Sequence, residues 1–309
     1  MTTLLFTHPA CLGHDTGQYH PERPARLRAI LEALEAEEFA PLIRAEAPQA
    51  GEAHIVRAHT PAHYAAVKAV IPRTGIAHID PDTGVSPGSW DAILRAAGGV
   101  VAAVDAVAKG EAKNAFCAVR PPGHHAERDA AMGFCLFNNV AIGALHARAV
   151  HGLKRVAVFD FDVHHGNGTQ DIFFDDADLL YASTHQYGAY PGTGAPNETG
   201  VADNVVNVPL SAGCASREWR EAVGASILPR IRSFRPDLIM ISAGFDAHMA
   251  DPLANMRLVA DDFHWVTGEL VELAREVCDR RIVSALEGGY DLDALAQSAA
   301  AHVRGLMGF

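Results

Sequence analysis

The feature that most constrains this chain is a recurrence: short apolar runs, rich in Val, Ile, Leu and Phe, that each end in a cluster of polar residues or glycines. Residues 115–119 lead into RPPGHH, 156–159 into DFDVHHGNG, 179–182 into STHQYG, 238–241 into SAGFD and 282–286 into EGGY. Helix-like stretches lie between and after them, at 90–109, 139–151, 218–234, 261–280 and 292–306. Strands alternating with helices predict an α/β domain whose mostly parallel sheet is covered on both faces. In such sheets ligands bind beyond the carboxyl ends of the strands. Five polar clusters delivered at that edge therefore describe one site.

Smaller signals fit this plan. Ser89 is the expected N-cap of the 90–109 helix, and Gly98-Gly99 within it predicts close packing. Arg235-Pro236 ends the third helix before the next strand. The loops 72–89 and 186–204 are long for a compact domain and predict a pocket rim. With no repeat or linker in view, residues 1–309 read as a single catalytic domain.

Composition narrows the function. The formal net charge of −12, with no basic stripe, argues against nucleic acid. No run approaches the roughly 20 apolar residues of a membrane span. Residues 1–11 read as a first strand, since they lack a basic leader and a cleavage site. Five cysteines without CxxC spacing predict buried thiols in a reducing, cytoplasmic compartment.

In DFDVHHG, Asp160, Asp162 and His164 are spaced at two, which on an extended backbone puts them on one face, with Phe159, Phe161 and Val163 on the other. Asp162 and His164 can then share a metal with Asp246 of the SAGFD cluster. Two carboxylates and one imidazole leave room for water and a carbonyl, as a catalytic site requires. Taken singly, each residue suits a buried hydrogen-bond network; together they favour a metal, and ligand type alone does not separate zinc from other divalent ions. The Pro and Gly of RPPGHH can bend the chain so that His124 and His125 both face a pocket. One can then take a proton from water while the other assists the leaving amine, with Asp160 and Asn167 as orienting partners. Tyr290 can donate to a developing oxyanion, and Gly288-Gly289 before it allow close backbone approach.

These residues carry a resemblance to the histone deacetylase and acetylpolyamine amidohydrolase family, in particular its class II-like bacterial enzymes. The matching segments run through nearly the whole chain: HPERPARL at 20–27, DTGVSPGSW at 82–90, RPPGHHA at 120–126, MGFCLFNN at 132–139, DFDVHHGNGTQ at 160–170, YPGTG at 190–194, SAGFDAHMADPL at 242–253 and EGGY at 287–290. The resemblance implies the arginase/deacetylase fold, a single domain with an eight-stranded parallel sheet. By position it makes Asp162, His164 and Asp246 ligands of one Zn2+ ion, His124 and His125 the tandem catalytic histidines, and Tyr290 the carbonyl-polarising tyrosine. Gly133, Phe134 and Tyr190 match the wall of an acyl-lysine tunnel, and Asp82 and Leu253 join them as substrate-binding residues. One or two structural K+ ions are also implied, the first near Asp160, Asp162, His164, Ser183 and Thr184, the second at the carbonyl of Phe173.

Departures refine the expectation. Asn167 stands where class I enzymes carry Asp, and Leu253 where the polyamine-selective subclass carries a gatekeeper Glu. The reaction implied is hydrolysis of an acylated amine such as acyl-lysine, with acetylpolyamines or a small foreign amide as alternatives. A non-enzymatic acyl-lysine-binding module would be expected to have lost Tyr290 or a ligand, and a ureohydrolase would need further carboxylates for a second metal. Assembly into a homo-oligomer stays open.

Overall fold

The apolar runs become strands, and the computed structural model, which describes residues 2–308, shows how they are ordered. In chain order they are β1 (Thr3–Thr7), β2 (Ile43–Glu46), β3 (Ala77–His78), β4 (Gly84–Val85), β5 (Asn114–Cys117), β6 (Val156–Asp160), β7 (Leu179–Gln186), β8 (Val205–Leu210), β9 (Leu238–Ala243) and β10 (Ile282–Leu286). Eight form one sheet in the order β2-β1-β5-β10-β9-β6-β7-β8, and every neighbouring pair is parallel. β3 and β4 make a separate antiparallel pair inside the 72–89 loop.

The four central strands, β5, β10, β9 and β6, are buried at every position. That is what a parallel sheet covered on both faces requires. One helical layer pairs Ser89–Ala108 with Asn139–His151; the other packs Leu292–Met307 on Ala260–Val277 and Pro24–Ala33. Gly98 lets the 48–50 segment lie against the first of these helices: an added Cβ would sit 1.9 Å from the Pro48 carbonyl oxygen. Asn138 caps the second helix through the Ala141 amide, and Gly152 ends it in a left-handed conformation. No helix among the described residues is long and apolar enough to cross a membrane.

Two local expectations need correction, and a third gains a detail. Gly88, not Ser89, is the N-cap of Ser89–Ala108; the Ser89 hydroxyl instead accepts from the Ser86 amide at 2.8 Å and meets His14 Nδ1 at 2.7 Å. The helix predicted at 218–234 is present, running from Ser216 to Phe234 with a π turn, Val223–Ile227, in its middle. β6 stops at Asp160, so Asp162 and His164 do not lie on an extended strand.

Candidate active site

Beyond β6 the chain bends because each aspartate ties down the backbone two residues on. The Asp162 amide donates to Asp160 Oδ1 at 3.1 Å, and the His164 amide to Asp162 Oδ1 at 2.9 Å. The bend still sends Phe161 and Val163 into the core and buries Asp162 and His164 at the sheet edge. Asp246, after β9, completes a cluster with these two in which the ligand atoms all lie within 4.8 Å of one another.

This cluster fits a tetrahedral metal. His164 Nδ1 is 3.1 Å from Asp162 Oδ1 and 3.1 Å from Asp246 Oδ2. Those separations approach the edge of about 3.3 Å expected between ligands bonded at about 2.0 Å. The Gly288 amide donates to Asp162 Oδ2 at 2.8 Å and the Val163 amide to Asp246 Oδ1 at 2.9 Å, which fixes both carboxylates. Glycine is needed around them: an added Cβ at Gly288 would sit 2.1 Å from Asp246 Oδ2, and one at Gly244 2.0 Å from Asp162 Oδ2. Burial opposes a charge on His164, yet the facing Asp162 and Asp246 carboxylates overrule it and lift the imidazole to about 10. Two buried carboxylates thus face one imidazole at the point where the three ligand atoms converge.

A second grouping, Asp105 with His146 and His151, has a different character. Both imidazoles meet Asp105 Oδ1 through Nε2, at 2.7 and 2.6 Å, and Arg57 stands 3.4 Å from His146 Nδ1. These are hydrogen-bond lengths beside a guanidinium: a clasp between two helices.

The histidine pair hangs on Glu287. Its Oε2 accepts from the Gly123 and His124 amides at 2.6 and 3.1 Å, and its Oε1 from Ser242 Oγ at 3.3 Å. Burial pushes the Glu287 carboxyl up to about 7. His124 Nδ1 lies 3.0 Å from Asp160 Oδ2, whereas His125 Nδ1 meets the uncharged Asn167 Oδ1 at 2.8 Å. The two rings, 4.0 Å apart, are thereby split in charge. Burial would lower His124, but Asp160 and Asp162 outweigh it and hold it well above its ordinary value. Burial and the charge on His124 hold His125 well below.

Tyr290 is anchored by its amide, which donates to Asp251 Oδ2 at 2.7 Å, and its ring lies 4.8 Å from the Arg26 guanidinium carbon. Burial raises the phenol well above its ordinary value, so it stays a donor. Arg26 donates to the carbonyls of Glu287 and Gly289, both at 2.5 Å, and to Glu22 Oε1 at 3.1 Å. Glu22 also pairs with Arg120, whose Nη2 reaches Oε2 at 2.6 Å.

A cavity of about 190 Å³ joins these parts, lined by Asp82, His125, Gly133, Phe134, His164, Tyr190, Leu253 and Tyr290. The two long loops do form its rim, one bringing Asp82 and the other Tyr190. Gly133 has φ +57°, and a Cβ there would be 2.5 Å from His125 Cδ2. Its amide donates to Asp82 Oδ1 at 3.1 Å, and Phe134 packs against Tyr290 with ring centroids 6.0 Å apart.

Asp160 belongs with His124 and stays outside the three-residue cluster. Ser183 faces Asp160 across the β6–β7 ladder and meets His185 Nδ1 at 2.9 Å. The Thr184 hydroxyl accepts from Trp219 Nε1 at 3.0 Å, and the Phe173 carbonyl from Asn204 Nδ2 at 2.8 Å. Sequence reasoning missed Glu22, Arg26, Arg120 and Glu287 as supports. The available signal was charge next to proline or at a strand end, inside segments otherwise destined for burial.

The histone deacetylase domain family matches residues 20–306. Histone deacetylase 14, chloroplastic, of Arabidopsis thaliana is 39% identical, over 99% of this chain and 77% of its own length. The histone deacetylase-like amidohydrolase of Pseudomonas aeruginosa is 40% identical, over 91% of this chain and 74% of its own. The crystal structure of the HDA15 HD domain superposes with a TM-score of 0.94 at 36% identity, over 99% of this chain and 88% of that one.

Proposed function

Because the chain belongs to the histone deacetylase family and is a hydrolase acting on amides, we propose that it removes an acyl group, typically acetyl, from an amine such as acyl-lysine, with zinc held by Asp162, His164 and Asp246. The observation that carries this reading is the single pocket in which His125, His164 and Tyr290 meet. Bound zinc supplies the Lewis acidity that polarises the amide carbonyl and acidifies the attacking water. Tyr290, kept protonated by burial, donates its hydroxyl to the oxygen that gains charge. His125, neutral beside charged His124, takes the proton from the attacking water and passes it to the departing nitrogen. His124, paired with Asp160, contributes a fixed positive charge.

Gly133, Phe134 and Tyr190 flank the alkyl arm of the substrate, and Asp82 and Leu253 border the pocket with them. Leu253 offers no charge to a second ammonium, which favours acyl-lysine over an acetylpolyamine. Structural K+ would sit near Asp160, Asp162, His164, Ser183 and Thr184, where the end of β6 runs beside β7, with the Phe173 carbonyl at a second position. A reducing, cytoplasmic setting accords with the five free cysteines. Zinc-loaded enzyme assayed on acetyl-lysine peptides, acetylpolyamines and simple anilides should release acetate fastest from the peptides. Full activity after chelation, or no turnover on any of the three, overturns the reading.

A further inference from the structure

One acceptor behind the histidine pair has no place in the chemistry so far. Asn167 meets His125 Nδ1 with its amide oxygen at 2.8 Å. Its other end, Nδ2, points at Glu127 Oε1 at 2.7 Å, Met132 Sδ at 3.3 Å and the His125 carbonyl at 3.4 Å. All three are acceptors, and an ionised carboxylate is nothing else. A flipped amide would turn its oxygen toward a carboxylate, a thioether and a carbonyl. It would also give up a charge-assisted hydrogen bond.

We propose that Glu127 is a positioning residue that locks the Asn167 amide in one orientation and so sets the tautomer of His125. With the Asn167 oxygen forced toward Nδ1, that nitrogen carries the proton, and Nε2 is left with its lone pair. A base in the pocket needs that tautomer. Glu127 is itself well held: its amide donates to the Ala130 carbonyl at 2.9 Å, and its carbonyl accepts from His59 Nδ1 at 2.9 Å. It does not line the cavity, and its side-chain hydrogen bond toward the site is the one to Asn167. The inference rests on the proposed role of His125 as base, and it explains how a neutral amide does the orienting work of a carboxylate. An Asp at 167 has no wrong orientation; an Asn needs a second residue to choose one.

The test uses the full, zinc-loaded chain. Glu127→Ala should lower kcat on an acetyl-lysine peptide by about tenfold to a hundredfold, with KM unchanged. Glu127→Gln keeps an acceptor oxygen and should recover most of that loss. Adding Asn167→Asp to Glu127→Ala should also recover it, because a carboxylate accepts at either oxygen. Nitrogen NMR of the His125 ring reads the tautomer directly: proton on Nδ1 in the wild type, a mixture in Glu127→Ala. Wild-type kcat in Glu127→Ala, or no recovery in Glu127→Gln and the double variant, overturns the proposal. So does a wild-type ring protonated on Nε2, whether or not any variant folds. Absence of turnover on every acylamine defeats the functional reading instead, and the ring spectrum still decides the role of Glu127.

Discussion

Asp160 and His124 form a buried ion pair, Oδ2 to Nδ1 at 3.0 Å, while the adjoining histidine is paired only with an amide. Asp160, with Asp162 behind it, thus makes two adjacent, chemically identical side chains unlike. Asp160→Asn should leave His124 without its largest source of positive-charge stabilisation and lower kcat by about a hundredfold. Steady-state kinetics alongside zinc analysis check this. Unchanged turnover at full zinc content would remove the charged imidazole from the mechanism.

Tyr290→Phe deletes one hydroxyl and leaves the ring beside Arg26 and Phe134. Loss of a single oxyanion donor costs about a hundredfold to a thousandfold in kcat. The melting temperature and bound zinc should be those of the wild type. A variant that retains its turnover takes the phenol out of the reaction.

Gly288→Ala tests the metal cradle without replacing a ligand. The new methyl would fall 2.1 Å from Asp246 Oδ2 and 2.6 Å from Asp162 Oδ2, and the Gly288 and Val163 amides pin those carboxylates so that they must be pushed off their bonds to make room. Zinc affinity, measured by competition with a coloured chelator, should weaken by at least about tenfold. In the wild type, added zinc should raise the melting temperature, because it binds only the folded chain. That rise should shrink in the variant.

Glu22 gives the clearest dependence of stability on pH. Burial alone would raise its carboxyl, but Arg120 and Arg26 prevail and hold it at about 2 against an ordinary 4.5. A depressed carboxylate adds stability that is full above pH 4.5 and drains away as pH falls through about 2. The shift corresponds to about 3 kcal/mol. Glu22→Gln leaves two guanidiniums buried without their counter-charge and should destabilise by about 3–5 kcal/mol at pH 7. Urea titrations should show the gap between wild type and variant narrowing from pH 5 to pH 3. A constant gap would mean that Glu22 carries no charge in the folded protein.

The central architecture was legible because burial on both sides makes β5, β6, β9 and β10 predominantly apolar runs, and their polar ends name the site. The edge strands β2 and β8 were not picked out individually. β2 is largely exposed and β8 only half-buried, so neither has an unbroken apolar signature. The bend after Asp160 escaped because period-two spacing looks the same on a strand and on successive turns closed by aspartate side chains. The support behind the site was hidden for another reason. Glu22 and Arg120 are 98 positions apart, and Arg26 reaches a carbonyl 261 positions away, so no local pattern announces them. Glu127 is close in sequence to the histidines, but its meaning depends on which way an amide points.

The sheet order has a consequence for synthesis. β10 comes last among the strands, yet it occupies the middle of the sheet between β5 and β9. Until it inserts, the two sides of the sheet share no ladder, and Asp162 lacks the Gly288 amide that holds it. A nascent chain on the ribosome can therefore pre-form two half-sheets but no working centre. Activity should appear abruptly, once β10 slides between them.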